Sequence, residues 1–400
     1  MKVVVAIDSF KGSMTSMQAG NACKEGILAA AHAHCGSGAA AAKDRKPAAD
    51  NMKVVVKPLA DGGEGTVEAL VEGMSGTYEY VPVTGPMGNP VKARYGILPD
   101  QTVVMEMAEA SGITLVKEPL NPWKAASTGV GEMILDAVQK GCRKFIIGIG
   151  GSATTEGGIG MLSALGYDFM DENGDILPPV FASLEKVVQI ENNRVPEMLK
   201  DCHFQIACDV TNPLCGVEGC VYVFGAQKGV KEEEKESMDR AMQSYAACME
   251  KFTGKKFSEI PGTGAAGGLG FAFLWGLPNV ELKPGIDIVL EAVGLASELQ
   301  DADIVVTGEG CLDFQTAMGK VPVGVAKAAK QYGCEVIAFA GSVTEEAKKC
   351  NEKGIDAFFS ILPGVCSLDE AMNTETAQKN MRNAAEQVFR LILDLYEHKT

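Results

Sequence analysis

The sequence is poor in basic residues, in histidine and in long apolar runs, and each shortage excludes a class of protein. It has 36 Lys and Arg against 52 Asp and Glu, a formal net charge of −16. Such a chain repels nucleic-acid backbones and anionic membrane surfaces, so we expect neither as a partner. No apolar run reaches the roughly 18 residues of a membrane span. The 4 histidines form no pattern typical of a catalytic triad or metal site.

Cysteine patterns are also missing. Although 12 cysteines are present, none forms a CxxC pair, so we expect reduced, mostly buried thiols rather than a zinc site or a disulfide framework. The first residues, MKVVVAIDSFKG, are interrupted by Asp8 and Lys11 and lack a small-residue cleavage site. We therefore expect no signal peptide and a cytoplasmic protein.

Glycine, by contrast, is in excess. The chain has 46 glycines in 400 residues beside 17 prolines, whereas glycine usually makes up about 7% of a protein. With so little proline, the excess is not typical of a flexible linker. Its meaning therefore depends on where the glycines lie.

Both ends of the chain alternate short β-branched runs with helical patterns. Residues 2–7 (KVVVAI) are apolar at nearly every position, as in a parallel strand covered on both faces. Similar runs occur at 52–59, 303–307, 335–340 and 357–362. This rhythm predicts a doubly wound parallel α/β sheet.

The middle of the chain has a different pattern. Residues 77–83, 90–98 and 102–107 alternate apolar and polar side chains around turn residues, which predicts antiparallel, half-exposed sheet. We therefore predict one α/β domain from residues 1–76 and 289–400, and a second α/β domain with a mixed or antiparallel sheet inserted at 77–288. Residues 35–51 are predicted to form a surface loop.

Polar, glycine-rich loops follow the predicted strands of the first domain. Open α/β sheets bind ligands at the carboxyl ends of their strands. Small residues let backbone N–H groups approach a ligand there, and helix N-termini favour anions. Carboxylates and a lysine in one loop also suit magnesium-assisted phosphoryl transfer, although a plain strand-to-helix connection is the alternative. The loops are DSFKGS (8–13), DGGEGT (61–66) and GEGCLDFQTAMGK (308–320).

The inserted segment adds further loops, GGSAT (150–154), ACDVTNPLCG (207–216) and PGTGAAGGLG (261–270). The last of these predicts close helix packing equally well. Gly148-x-Gly150-x-x-Ala153, with Asp168 further on, also matches a dinucleotide-binding fingerprint, but its βαβ context is incomplete. Walker A, protein-kinase HRD or DFG and GxSxG motifs are absent from the sequence.

Taken together, DSFKGS, PLADGGEGT, VTGPMGNPV, IGGSAT, ACDVTNPLCG, AAGGLG, KPGID, VTGEG and FFSILPG resemble, in this order, the motifs of the bacterial type I glycerate kinase family. The resemblance runs from residue 2 to about residue 393. It implies two α/β domains, one of them a flavodoxin-like doubly wound sheet built from both chain ends, with the active site in the cleft between them. It also implies phosphorylation of D-glycerate by ATP with Mg²⁺, which gives 2-phospho-D-glycerate.

This sequence departs from the family pattern at several positions. Ile7 stands where proline is frequent, and Glu156 replaces an aspartate after GGSAT. Cys311 replaces an arginine, which weakens the case for phosphate binding at that position. Thr128 and Val130 stand where tyrosine and threonine are common, which removes the basis for a substrate contact there.

The roles of the matching residues follow from the resemblance and from the needs of phosphoryl transfer, which are positioning and charge neutralisation. We predict that Lys11 and Lys320 neutralise phosphate oxygens and that Asp8 or Asp209 accepts the glycerate hydroxyl proton. The predicted magnesium ligands are drawn from Asp61, Glu64, Glu309 and Asp313. The predicted substrate- and phosphate-binding residues are Ser9, Gly12, Ser13, Gly62, Gly63, Gly65, Thr66, Gly150, Gly151, Ser152, Thr154, Asn212, Gly308, Gly310, Thr316 and Gly319.

Other functions stay open on the sequence alone. The same reaction could give 3-phospho-D-glycerate. The loop at 148–153 could serve an NAD-dependent hydroxy-acid dehydrogenase. The third alternative is a non-catalytic two-domain protein that binds a small anion. The oligomeric state and the nucleotide preference are not encoded in these motifs.

Overall fold

The computed structural model describes residues 1–37, 52–117 and 119–397, and the chain divides into two compact units. Unit 1 comprises Met1–Asp61, Glu72–Met74 and Val289–Thr400, and unit 2 comprises Gly62–Val71 and Ser75–Ile288. Most of the loop predicted at 35–51 lies outside the described residues. No helix of the described chain is long and apolar enough to cross a membrane.

The strands are β1 (Lys2–Ile7), β2 (Lys53–Pro58), β3 (Thr77–Thr84), β4 (Pro90–Ile97), β5 (Thr102–Glu106), β6 (Lys144–Gly148), β7 (Asp168–Met170), β8 (Gln189–Glu191), β9 (His203–Ala207), β10 (Val280–Lys283), β11 (Ile304–Leu312), β12 (Glu335–Val343) and β13 (Ala357–Ser360). The α-helices are α1 (Ser16–Ser37), α2 (Thr66–Gly73), α3 (Ala108–Ser111), α4 (Thr128–Gln139), α5 (Ile159–Ala164), α6 (Cys220–Phe224), α7 (Lys235–Thr253), α8 (Leu269–Gly276), α9 (Gly285–Ala292), α10 (Leu295–Leu299), α11 (Phe314–Ala317), α12 (Val321–Lys330), α13 (Leu368–Met372) and α14 (Thr374–Glu397).

The sheet of unit 1 is entirely parallel, with strand order β13-β12-β11-β1-β2. Counted within the unit, this is the flavodoxin-like order 2-1-3-4-5. Every residue of β1 is buried, because helices cover both faces of a doubly wound sheet. Helices α1 and α14 cover the face to which Val3, Val5 and Ile7 point, and α12 contacts β11 and β12. The predicted fold class is confirmed.

Strands β11 and β12 are longer than predicted. The sequence predicts that β11 ends at Thr307. This predicted end is wrong, because the strand continues to Leu312 and pairs there with β12. Gly308 allows this pairing, because a Cβ at that position would lie 2.2 Å from the carbonyl oxygen of Phe339. The GEG sequence that was predicted as a loop therefore lies within the strand.

Unit 2 holds a mixed sheet in the order β10-β9-β6-β5-β4-β3, in which β10, β9, β6 and β5 run parallel and β4 and β3 antiparallel. This agrees with the predicted mixed sheet. Residues 62–71, predicted with the first domain, group with unit 2 instead. The reason is packing, because Val67 and Val71 lie against Gly96 of β4, where a Cβ would meet their methyl groups.

The PGTGAAGGLG stretch leads into the apolar, buried helix α8. Its glycines permit close backbone contacts in unit 2. A Cβ at Gly267 would lie 2.1 Å from the carbonyl oxygen of Thr154, and one at Gly268 would lie 2.6 Å from the Cα atom of Gly157. The packing interpretation of these two glycines therefore has direct structural support.

Candidate functional site

The order of the unit 1 sheet reverses between β1 and β11, and ligands of such sheets bind at this point, beyond the carboxyl ends of the strands. Asp8 follows β1 and donates its backbone N–H to the carbonyl of Gly308 at 2.9 Å. A cavity of about 380 Å³ opens here, which we call the unit 1 cavity. The predicted site residues that line it are Asp8, Ser9, Lys11, Ser13, Asp61, Glu309, Gly310, Asp313 and Lys320.

Asp8 and Glu309 are the buried carboxylates of this cavity. Burial, followed by the negative charge of Asp61, raises the pKa of Asp8 to about 7. Oδ1 of Asp8 accepts the Ser9 N–H at 2.6 Å, and this hydrogen bond lowers the pKa of Asp8. Burial also raises the pKa of Glu309, although the hydroxyl of Thr316 donates to its Oε1 at 2.6 Å. The cavity thus carries negative charge that lacks full solvation.

Two lysines line the same cavity. Nζ of Lys11 lies 3.8 Å from Oδ2 of Asp61, and the Lys11 side chain is 63% exposed. Such a long, exposed ion pair is weak. The positive charge of Lys320 acts on Glu309 and favours its ionised form. The ammonium group of Lys11 is therefore available to an anionic ligand at low cost.

Asp313 has a structural role as well as a place in the cavity. Its Oδ1 accepts the N–H groups of Gln315 at 2.8 Å and Thr316 at 3.1 Å, so it caps the N-terminus of α11. The predicted residues Gly12, Gly308, Thr316 and Gly319 do not line the cavity. Gly12 and Gly319 have positive φ values of 77° and 117°, so they shape turns next to it.

Unit 2 has a cavity of its own, of about 360 Å³, which we call the unit 2 cavity. The predicted residues that line it are Gly62, Gly63, Gly150, Gly151, Ser152 and Asp209. Oδ1 of Asp209 accepts the N–H of Gly285 at 2.9 Å, at the start of α9. Gly62 must be glycine, because a Cβ there would lie 2.6 Å from the Cα of Gly285.

Lys228 lies on this cavity and was not predicted as a site residue. Its side chain is buried, and Nζ donates hydrogen bonds to Oγ of Ser152 and to the carbonyl of Thr154, both at 2.6 Å. Burial lowers the pKa of Lys228 to about 8. In the sequence it is one lysine in a polar GAQKG turn, and no local pattern indicates its burial.

Glu106 is a second buried charged residue that was not predicted. Its Oε1 accepts the N–H groups of Gly65 at 3.1 Å and Val67 at 2.9 Å, and so holds the DGGEGT loop. Burial raises the pKa of Glu106 to about 7. A signal was present in the sequence, because a carboxylate ends an otherwise apolar strand.

Several predicted residues lie outside the lining of both cavities. Glu64 is exposed and belongs to unit 2. The hydroxyl of Thr66 donates to the carbonyl of Gly63 at 2.8 Å, at the start of α2. Thr154 offers its carbonyl to Lys228, and Nδ2 of Asn212 donates to the carbonyl of Glu218 at 2.8 Å. Their predicted binding roles stay predictions.

Three of the residues that depart from the family pattern lie at buried or cavity-lining positions. Glu156 is buried, and its Oε1 accepts the N–H of Ser127 at 2.9 Å and that of Gly160 at 3.3 Å, so it joins the starts of α4 and α5. Val130 is buried in the hydrophobic core of unit 2. Cys311 lines the unit 1 cavity. A thiol therefore occupies that part of the cavity wall.

The dinucleotide fingerprint lacks its expected partners. The guanidinium of Arg194 donates to both carboxylate oxygens of Asp168, with Nε at 2.8 Å from Oδ2. Moreover, the helix after the glycine loop begins only at Ile159. Asp168 is thus engaged in an ion pair, which argues against ribose binding by this carboxylate.

Metal binding by protein side chains alone has no support within residues 1–37, 52–117 and 119–397. No group of three or more His, Cys, Asp or Glu side chains there could hold an ion. Magnesium, however, usually binds through one or two carboxylates together with waters and substrate phosphates. The set Asp61, Glu309 and Asp313 on one cavity remains compatible with that mode.

Comparison with known proteins agrees with these features. Residues 3–393 match the model of the glycerate kinase family. The chain is 42% identical over 390 residues to the glycerate kinase of Bacillus subtilis, which covers 97% of each chain. It is 41% identical over 373 residues to the glycerate 2-kinase of Escherichia coli, which covers 93% of each chain. A crystal structure of a glycerate kinase 2 from Salmonella typhimurium matches with a TM-score of 0.87 and 39% identity over 99% of each chain. The chain therefore belongs to the glycerate kinase family, a family of kinases.

Proposed function

We propose that this protein transfers the γ-phosphoryl group of ATP to the 2-hydroxyl of D-glycerate and forms 2-phospho-D-glycerate. The observation that carries the proposal is the unit 1 cavity, where Lys11 and Lys320 share one ligand-sized space with Asp8, Asp61 and Glu309. Family membership supports glycerate as the acceptor. The name of the Escherichia coli relative, a glycerate 2-kinase, supports phosphorylation at the 2-oxygen.

In this reaction the protein positions the reactants and stabilises charge, and it need not form a covalent bond with either. Lys11 and Lys320 bind the oxygens of the phosphate chain. Lys11 can do so because its only ion pair in the described chain, with Asp61, is long and exposed. Fixed cations that face developing negative charge are worth about 100- to 1,000-fold in rate.

Mg²⁺ fits the unit 1 cavity as a cofactor. Burial and the charges of Asp61 and Asp313 disfavour the ionised form of Glu309, and burial and Asp61 do the same for Asp8. A divalent cation would relieve this repulsion, and carboxylate oxygens are the ligands it prefers. Bound there, Mg²⁺ would supply charge neutralisation on the phosphates. One or two of Asp61, Glu309 and Asp313 would hold it, together with waters and phosphate oxygens.

Two carboxylates are our candidates for accepting the hydroxyl proton of glycerate. Asp8 has a pKa of about 7, which suits a base that acts near neutral pH. Asp209 lines the unit 2 cavity. Asp8→Asn and Asp209→Asn distinguish them, because the variant that binds both substrates but loses turnover identifies the base.

The test is an ADP-release assay with D-glycerate, followed by ³¹P and ¹³C NMR of the product. ADP release that needs both D-glycerate and Mg²⁺, with the ³¹P signal split by the single proton on C2, is the expected result. Phosphorus on the 3-oxygen would establish the alternative product. No ADP release with glycerate or related hydroxy acids would overturn the proposal.

The dehydrogenase alternative predicts a change of absorbance at the nicotinamide band without ATP, and the ion pair of Asp168 with Arg194 argues against it. A binding protein would take up glycerate and release no ADP. ADP release and absorbance at the nicotinamide band together therefore separate all three functions.

A further inference from the structure

Lys228 is a buried cation that has no counterion among the described residues. Its side chain is 2% exposed, and lysine is almost never so deeply buried unless it is paired. In the part of the chain that the structure describes, no carboxylate oxygen lies within ion-pair distance of its Nζ. The two acceptors it has, the Ser152 hydroxyl and the Thr154 carbonyl, are neutral.

The carboxylate of Glu156 acts on the charge of Lys228 without pairing with it. The charge of Glu156 favours the ammonium form of Lys228. However, no ion pair joins the two residues: Oε1 of Glu156 accepts N–H groups from Ser127 and Gly160, and its Oε2 has no hydrogen-bond partner among the described residues. A buried charge that is solvated by only two neutral groups is unfavourable, so a further anionic partner would stabilise it.

Space for that partner lies in the unit 2 cavity, which Lys228 lines. A lysine has three N–H donors, and two of them account for the hydrogen bonds of Lys228. The residue lines the unit 2 cavity together with the exposed Gly150 and Gly151. A Cβ at Gly150 would meet only the Cα of Gly63, at 3.9 Å, so this wall is open to a ligand.

The charge of the cavity favours a small hydroxy acid over a polyphosphate. The charged residues that line it are one lysine, Lys228, and one carboxylate, Asp209, whereas two lysines line the unit 1 cavity and can share a chain of phosphates. A ligand with one carboxylate and a neighbouring hydroxyl meets one cation and one hydrogen-bond acceptor instead. The cavity therefore matches a 2-hydroxy carboxylate in both charge and hydrogen-bonding groups.

We infer that Lys228 binds the carboxylate of the hydroxy-acid substrate in the unit 2 cavity, while Asp209 accepts a hydrogen bond from a hydroxyl of the same molecule. The inference rests on the proposed function for the identity of the acid. It adds a binding residue and assigns the acceptor substrate, rather than the nucleotide, to this cavity.

The experiment compares four proteins: wild type, Lys228→Met, Lys228→Gln and the control Lys235→Met. Methionine keeps the length of the side chain without charge, and glutamine also keeps N–H donors for Ser152 and Thr154. Lys235 is a matched control, because it is 14% exposed and already pairs with Glu232 at 2.6 Å. Circular dichroism establishes that each variant is folded.

Calorimetry without ATP measures the binding of D-glycerate and of its neutral amide. We expect both Lys228 variants to bind D-glycerate about 10- to 100-fold more weakly, as the loss of a charge-assisted hydrogen bond predicts, while Lys235→Met stays within about twofold of wild type. Binding of the amide should not depend on Lys228. In steady-state assays the KM for glycerate should rise and that for ATP should stay within about twofold.

Unchanged D-glycerate affinity in folded Lys228→Gln would overturn the inference, and so would a loss confined to ATP. The two proposals fail separately. If wild type binds D-glycerate through Lys228 but releases no ADP, the proposed function is wrong and the binding residue stands. If wild type releases ADP and the Lys228 variants match it in D-glycerate binding and KM, the inference about Lys228 is wrong and the proposed function stands.

Discussion

The hydroxyl of Thr316 donates a hydrogen bond to Oε1 of Glu309 at 2.6 Å, and both residues are buried. This bond orients one carboxylate of the unit 1 cavity and favours its ionised form. Thr316→Val keeps the shape of the side chain and removes this donor, together with the acceptor of the Asp313 N–H at 3.2 Å. We expect kcat for ADP release with D-glycerate to fall about tenfold, which corresponds to the loss of one hydrogen bond to a charged group.

A matched control lies in the same strand as Glu309. Thr307 is also fully buried, but its hydroxyl has no hydrogen-bond partner among the residues that the structure describes. Thr307→Val removes a polar group that is desolvated without compensation. We expect the free energy of unfolding to rise by about 1 kcal/mol, measured by urea titration, with unchanged kcat. A destabilised Thr307→Val variant would show that the hydroxyl does have a partner.

Lys11 offers a test of charge in the unit 1 cavity. Lys11→Met should lower kcat by about 100-fold or more, because it removes a cation that faces the phosphate oxygens. Stability should change little, since the pair with Asp61 is 3.8 Å long and exposed. Thermal unfolding and the ADP-release assay measure the two effects. Lys327→Met, at an exposed position of α12 outside the cavity lining, is the control and should match wild type in both. Near-normal kcat in Lys11→Met would contradict the role of Lys11.

Much of unit 1 could be predicted from the sequence, because its signals are local. Strand β1 is apolar at every core-facing position, which identifies a central parallel strand. The rule that ligands bind beyond the carboxyl ends of such strands then brings Asp8, Asp61 and Glu309 to one cavity. The continuation of β11 through Gly308 could not be predicted, because it depends on pairing with β12 rather than on local propensity.

The role of Lys228 could not be predicted, because its environment comes from elsewhere in the chain. Its acceptors Ser152 and Thr154 lie 76 and 74 residues away in the sequence. Likewise, Glu64 belongs to the same short loop as Asp61, yet the two residues fall in different units. The local sequence around a polar residue in a glycine-rich loop does not indicate which of the two cavities that residue lines.

Glu106 makes a prediction about pH. Its pKa is about 7 in the folded protein and 4.5 in an unfolded chain, mainly because it is buried. Between these values the folded state binds more protons than the unfolded state. The stabilising effect of protonation is therefore fully present below pH 4.5 and is lost as the pH rises through 7.

Glu106→Gln removes this titration and keeps an acceptor oxygen for the N–H groups of Gly65 and Val67. Between pH 5 and pH 8 the wild type should lose about 2–3 kcal/mol of unfolding free energy relative to this variant, as the shifted pKa of Glu106 implies. Urea titrations across this range measure the difference, with the exposed Glu185→Gln as the control that should follow wild type. Parallel pH curves for wild type and Glu106→Gln would contradict the prediction.

Because Glu106 holds the loop whose Gly62 and Gly63 line the unit 2 cavity, Glu106→Ala should also weaken D-glycerate binding at pH values where Glu106→Gln does not.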